Sequence, residues 1–274
     1  MQHVTLQSGQ KMPMLGLGTF ELRGAAGAAS VKAALDHGYR HLDTALSYDN
    51  HAAVGQAIAA AGVPREELFV TSKIPRDELA HDDVLKACQR SLDELQLDYL
   101  DLFLVHWPNN EIPLKETLSA LARLLDRGRV RHIGVSNFTT WRLQEALDLN
   151  LAPIAANQVE YHAYLNQEKL RAHCAAAGVA LIAYSPIAGG ALLHDPLLGN
   201  IAAGHKRNTA QIALRWLLHK GLCPIPRSQS PRRQAANFDL FDWALSAAEI
   251  EAIDRIEKTQ RVIEYWPGEF EKGE

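Results

Sequence analysis

Eight short apolar runs alternate strictly with eight amphipathic segments along this chain, and few folds accept that order. The runs fall at 15–18, 39–42, 68–72, 100–105, 131–135, 155–160, 179–184 and 222–225. The amphipathic segments fall at 26–37, 50–61, 82–95, 114–127, 139–149, 167–177, 209–220 and 246–258, with apolar residues at helical spacing. Val54, Ile58 and Ala61, for example, lie four and three apart on one helical face. A buried strand followed by a covering helix is the repeating unit of a parallel sheet. Eight such units in 274 residues suit a closed (β/α)8 TIM barrel, which takes about 250. An open doubly wound sheet is disfavoured. No GxGxxG follows an early strand, and polar residues end many strands rather than one switch point.

The expectation is an α/β chain with one barrel domain over 1–274. Val4-Thr5-Leu6 and Met12-Pro13-Met14 flank Ser8-Gly9-Gln10, a hairpin signal that would cap the barrel bottom. A short tail, 262–274, would lie over one rim. Ser246 followed by Glu249 reads as a capping box, and Gly62, Gly128, Gly178 and Gly221 as helix C-caps. The stretch 186–208 reads as irregular, long enough to be a lid or clamp.

Composition removes several function classes. A net charge of −4 and a pI near 6.3 argue against a nucleic-acid surface, which wants a basic excess. Cys88, Cys174 and Cys223 have no CxxC spacing and read as reduced thiols, with neither disulfides nor a metal site. No apolar run reaches the ~18 residues of a membrane span, and the first residues lack the sections of a signal peptide. A cytoplasmic protein is expected, with neither a membrane nor a nucleic acid as partner.

Three consecutive strands end in groups that carry chemistry. The second ends at Asp43 with Tyr48 in the following loop, the third at Lys73, and the fourth at His106. In a barrel these positions share the carboxyl-terminal rim, where active sites are built. A phenol, with a pKa of about 10, needs help to act as an acid near neutral pH. A lysine cation stabilises its phenolate, and an aspartate holds the lysine and offsets its burial. A histidine beside the phenol orients a carbonyl or relays a proton. Such a set suits carbonyl reduction, with hydride from a cofactor and the proton from Tyr48.

Each residue also has a bland reading. Asp43 could cap a helix, Tyr48 could pack, and His106 could be a satisfied structural histidine. Lys73 is harder to dismiss, because a lysine in a barrel mouth has a desolvation cost. Four coincidences in order on strands two, three and four are improbable.

These residues also carry a resemblance. The stretch from Gly38 to Ala45 with Tyr48, then Thr71-Ser72-Lys73, then Leu104-Val105-His106-Trp107-Pro108, resembles the aldo-keto reductase family. So do the motifs Ile133 to Phe138, Asn157 to His162, Ala183-Tyr184-Ser185-Pro186 and Ile225-Pro226-Arg227-Ser228. The match covers nearly the whole chain and is closest to the short prokaryotic 2,5-diketo-D-gluconate and methylglyoxal reductase type. The resemblance implies that Tyr48 is the general acid, tuned by Lys73 and Asp43, with His106 positioning the carbonyl. It further implies that Ser136, Asn137 and Gln158 bind the nicotinamide carboxamide. Tyr184 would stack on the ring, with Ser185 and Ile187 along the pyrophosphate.

A plainer role for Ser136-Asn137 is capping of the fifth helix. Gly18 and Thr19, ending a glycine-rich first strand, are also expected at the cofactor, glycine allowing close approach to the backbone. Arg227, Ser228 and Arg233 sit where barrels bind phosphate, and arginine suits phosphate geometry. The resemblance places them on the 2′-phosphate of NADPH, with Asn237 near the adenine; a solvated charged face is the alternative. Phe20, Tyr48, His106, Trp107 and Trp266 would line the substrate site.

The chain departs from the family pattern at Phe20, Pro75, His51, Ala236 and Arg227. The first is often tryptophan, the second another aromatic, the third and fourth glutamate, the last lysine. These changes bear on substrate range and adenine affinity, not on the four reacting groups. With its short tail, the chain is expected to take small, polar or varied carbonyls as a monomer. A nicotinamide-binding regulatory protein without turnover is a second reading, disfavoured because a pure binder has little need of a lysine-activated phenol. A barrel hydrolase would want an HxH strand motif or paired carboxylates, neither of which is evident.

Overall fold

The computed structural model describes residues 2–264. An antiparallel hairpin, β1 (His3–Thr5) and β2 (Lys11–Pro13), precedes eight parallel strands. These are β3 (Leu17–Gly18), β4 (His41–Asp43), β5 (Phe69–Ile74) and β6 (Leu100–Val105), followed by β7 (Val130–Ser136), β8 (Ile154–Glu160), β9 (Ala180–Tyr184) and β10 (Cys223–Pro224). They pair in sequence order from β3 to β10. Gly16 N–H donates to Pro224 O at 3.1 Å and Gly18 N–H to Pro226 O at 3.2 Å, which closes the sheet on itself. The closure rules out the open sheet. It also accounts for Gly18: a Cβ there would lie 2.7 Å from Ile225 O, so the glycine is required by the seam itself. β5 and β6 are buried at every position, as strands covered on both faces must be.

Helices α1 (Gly24–Asp36), α2 (His51–Ala61), α3 (His81–Leu95), α4 (Leu114–Asp126), α5 (Thr140–Asp148) and α6 (Glu168–Ala176) follow β3 to β8 in turn. After β9 come α7 (Pro196–His205) and α8 (Thr209–His219), and after β10 come α9 (Pro231–Phe238) and α10 (Ala247–Asp254). Burial follows the helical stripe. On α3 it takes Val84, Ala87, Cys88, Ser91, Leu92 and Leu95. All four C-cap glycines have positive φ, between 64° and 78°, and the Ser246–Glu249 capping box forms.

Two helices were not expected. The stretch 186–208 is largely ordered, as the 3₁₀ segment Ala188–His194 and α7. α9 follows the eighth strand before α10 begins. The hairpin covers the amino-terminal end of the barrel as expected, with Ser8 Oγ 2.6 Å from His132 Nε2 near the start of β7. Of the tail, residues 265–274 lie outside the described residues.

Candidate active site

Strand ends gather the four groups. Asp43 closes β4, Lys73 is the penultimate residue of β5, and His106 directly follows β6. Tyr48 ends the 3₁₀ turn Leu46–Tyr48 that follows β4. Lys73 is wholly buried, and its ammonium donates to Asp43 Oδ1 at 2.6 Å, Thr44 O at 2.8 Å and Tyr48 Oη at 3.3 Å. An ammonium has three donors, and all three are used. Burial alone would lower the lysine pKa, but Asp43 and Tyr48 outweigh it and hold Lys73 as a cation.

Burial pushes the Tyr48 phenol above its ordinary value, and the Lys73 cation works against that push without reversing it. The expected effect of the lysine has the right sign but is the smaller one. Tyr48 therefore carries its proton at neutral pH, with a cation in place for the phenolate left behind. Burial and Lys73 together drive the His106 pKa well below the usual value, so the imidazole is neutral. Its Nδ1 lies 3.1 Å from Ser47 Oγ, and its ring stands edge-on to Tyr48 at 5.6 Å.

The amide and hydroxyl residues form one connected set with these groups. Gln158 Nε2 donates to Asp43 Oδ2 at 2.6 Å, and Ser136 Oγ donates to Gln158 O at 2.7 Å. Asn137 Nδ2 donates to His106 O at 3.0 Å and Ser136 Oγ at 3.1 Å, while its Oδ1 accepts from Tyr184 Oη at 2.7 Å. Asn137 sits at φ +62°, which asparagine tolerates better than most residues. Neither Ser136 nor Asn137 caps α5, whose N-cap is Thr139, so the capping alternative fails. Thr19 is buried and turned inward, its Oγ1 donating to Asp43 O at 3.0 Å.

Around α9 lies a second polar cluster. Arg233 Nε donates to Ser228 Oγ at 3.3 Å, and Ser230 Oγ caps α9 by accepting from Arg233 N. Buried Gln234 bonds Ser30 and Ser228 O and so fixes the loop after β10; its Oε1 has no partner. Arg227 reaches Glu21 across the barrel seam, with Nη1 and Oε2 2.9 Å apart. Asn237 is nearly buried on the same helix. Two guanidiniums, a hydroxyl and a helix amino terminus form a donor set that fits a phosphate. Phe20 is 47% exposed and meets Tyr48 edge-on at 5.2 Å, whereas Trp107 is buried. Trp266 lies outside the described residues.

Sequence reasoning missed several supports. Asn50 takes a hydrogen bond from Thr44 Oγ1 and gives one to Thr19 O, each at 2.7 Å, bracing the ends of β3 and β4. His51, one of the departures, presents Nδ1 to Glu94 at 3.1 Å and Nε2 to Ser72 Oγ at 3.0 Å, behind the strand that carries Lys73. Ser47, Glu21 and Gln234 also went unassigned; their contacts are long-range and leave no periodic trace.

A closed (β/α)8 barrel with an Asp–Lys–Tyr–His cluster at its carboxyl-terminal rim defines a class of carbonyl-reducing oxidoreductases. Residues 14–258 match the profile described as the aldo/keto reductase family, and the chain belongs to that family. It is 44% identical over 261 residues to a glyoxal reductase of Bacillus subtilis, with 94% of each chain covered. Among solved structures it resembles a Bombyx mori aldo-keto reductase in complex with NADP, with a TM-score of 0.91, 36% identity, and 96% and 94% of the two chains covered. It also resembles a putative 2,5-diketo-D-gluconic acid reductase B, with a TM-score of 0.90, 40% identity, and 93% and 91% covered.

Proposed function

We propose that this protein is an NADPH-dependent reductase of aldehydes, ketoaldehydes or diketo sugar acids, with Tyr48 as the general acid. The observation that carries the reading is the saturated Lys73 ammonium, aimed at once at Asp43, Thr44 and Tyr48. When bound, the nicotinamide supplies hydride to the carbonyl carbon. Tyr48 Oη gives its proton to the carbonyl oxygen as charge develops there, and the Lys73 cation stabilises the phenolate. Asp43 keeps the lysine in line, itself held by Gln158. Neutral His106 accepts from Ser47 at Nδ1, which leaves an Nε2–H to hydrogen-bond the same oxygen. Solvent then reprotonates Tyr48.

Ser136, Asn137 and Gln158 would hold the carboxamide, Tyr184 the ring, and Ser185 and Ile187 the pyrophosphate, with Gly18 and Thr19 beside them. Arg227, Ser228 and Arg233 would hold the 2′-phosphate and Asn237 the adenine, which favours NADPH over NADH. The relative named glyoxal reductase supports small dicarbonyl substrates. No helix among the described residues is long and apolar enough to cross a membrane; we place the enzyme in the cytoplasm, as one domain and a monomer.

The test is spectrophotometric. Loss of NADPH absorbance is followed with glyoxal, methylglyoxal or a diketo sugar acid, for wild type and for Tyr48→Phe. The variant is expected to lose about 10²–10⁴-fold in kcat while still quenching its tryptophan fluorescence with NADPH. Cofactor binding without turnover by the wild type, across a broad carbonyl panel, would put the regulatory reading ahead.

A further inference from the structure

Glu160 closes β8 with a side chain that is wholly buried. Three donors converge on it. Val262 N–H donates to Oε1 at 2.6 Å, Ile263 N–H to Oε2 at 2.9 Å, and His162 Nε2 lies 2.9 Å from Oε1. Backbone amides only donate, and each carboxyl oxygen of Glu160 accepts one. The buried group thus has its acceptors met by the chain's own N–H groups, as a polar group inside a protein requires. His162 is buried as well, and its Nδ1 has no partner. None of the chemistry proposed above uses this pair.

What Glu160 holds is a segment 102 residues away in sequence. Val262, seated by that bond, packs on Gly189: a Cβ at Gly189 would lie 3.2 Å from Val262 Cγ1. Gly189 belongs to the 3₁₀ segment that follows the Tyr184–Ile187 stretch. There, Ser185, Ala188, Gly189 and Gly190 all have positive φ, at 48°, 52°, 61° and 101°. Ser185 and Ala188 lack glycine's freedom and keep a left-handed conformation only where their surroundings enforce it. Glu160 is also the register partner of Tyr184 across β8 and β9. One carboxylate thus ties the strand under Tyr184 to the segment that props the loop after it.

We propose that Glu160 is a positioning residue for the cofactor. By seating 262–263 against Gly189, it holds Ser185–Gly190 in the shape that retains the pyrophosphate, and so sets the rate of cofactor release. The inference rests on the reading that Ser185 and Ile187 line the pyrophosphate.

Two variants of the full chain test it. Glu160→Gln keeps the volume but turns one acceptor into a donor facing a backbone N–H. Ile263→Pro deletes one donated N–H in a half-exposed segment outside the barrel, so it decides the matter even where Glu160→Gln fails to fold. NADPH dissociation is measured by stopped-flow fluorescence, and the hydride step by single turnover at saturating NADPH. The expected result is dissociation about tenfold faster in Ile263→Pro, with the single-turnover rate unchanged. Unchanged dissociation overturns the latch, and so does a parallel loss of melting temperature and single-turnover rate, which marks a structural role alone. A wild type that does not bind NADPH overturns the functional reading and the latch together; wild-type binding with unaltered variants overturns the latch only.

Discussion

The Asp43–Lys73–Tyr48–His106 cluster and the arginine cluster proposed for the phosphate share one barrel rim but are built in opposite ways. Asp43 and Lys73 come from strands, are buried, and have every strong donor matched at 2.6–3.3 Å. Arg227 comes from a loop, is 43% exposed, and is held by an ion pair with Glu21, itself 52% exposed. A pair in low dielectric is strong and costly to break, whereas an exposed pair contributes little and is screened by salt. On the proposed reading, the difference teaches that the chemistry would be fixed by the scaffold, while cofactor choice would be left to loops that substitution can retune. Perturbations at the two ends should therefore differ in size by orders of magnitude.

The largest effect belongs to Lys73. Lys73→Met removes the cation beside Tyr48 and leaves Asp43 buried with only Gln158. A loss of about 10³-fold in kcat is expected, with destabilisation of about 3–5 kcal/mol from the unpaired carboxylate. Steady-state kinetics and chemical denaturation measure the two losses. A variant retaining a tenth of wild-type kcat would show that the buried end is no more rigidly specified than the loops.

The next effect tests the brace behind β5. Burial and Lys73 push the His51 pKa down to about 4, so its contact with Glu94 is a hydrogen bond from a neutral ring. The folded value lies below the usual 6.5, so the unfolded chain binds the proton more readily. The stability His51 contributes is thus complete above pH ~6.5 and is lost as pH falls through about 4. Each pKa unit corresponds to about 1.4 kcal/mol, which makes this a few kcal/mol. Melting temperature against pH should fall more steeply in wild type than in His51→Gln across that window. Equal slopes would remove His51 from the brace.

How much of this contrast was legible in the sequence follows the same division. A polar residue directly after an apolar run becomes a rim residue once the barrel is inferred, so Asp43, Lys73 and His106 could be placed by position alone. Eight strands and eight helices were legible for the same reason. The two unexpected helices had local signals: Asp195-Pro196 and Ser230-Pro231 each place a capping side chain before a proline at the first helical position. Both fall outside the strand–helix repeat that makes the other eight helices legible. Glu160 with Val262, Glu21 with Arg227 and Ser47 with His106 had no such signal. The first bond is donated by a backbone amide, which any residue but proline supplies, and the others join loops whose approach depends on the finished barrel. The glycine at 18 was legible as a close approach, and the carbonyl of Ile225, just past β10, supplies one.

At the exposed end, Arg227→Ala is expected to weaken NADPH binding about tenfold, the loss of one charge-assisted hydrogen bond after screening. NADH binding should hardly change, since it lacks the phosphate. Fluorescence titration at two salt concentrations checks both points, and the wild-type preference should shrink at high salt. If both cofactors weaken equally, Arg227 contacts something they share.

The smallest effect sharpens the comparison most. Glu21 holds the guanidinium that the 2′-phosphate would claim, so its carboxylate competes with the ligand for Arg227. Glu21→Gln keeps the shape and removes the competing charge, and NADPH should bind about two- to fivefold tighter, the worth of one exposed ion pair. The gain should vanish in the Arg227→Ala background, because the two residues act on one another. It should also fade with salt, since the phosphate attraction and the competing pair are screened alike. Weaker NADPH binding in Glu21→Gln would reverse the assignment: Glu21 would then be orienting Arg227 for the phosphate, and the loop end would be as preorganised as the strand end. Either sign is informative, because the turn that holds Glu21 at φ +63° is closed by Leu22 N–H donating to Thr19 O at 2.9 Å, so Glu21→Gln changes the pairing of Arg227 and not the backbone.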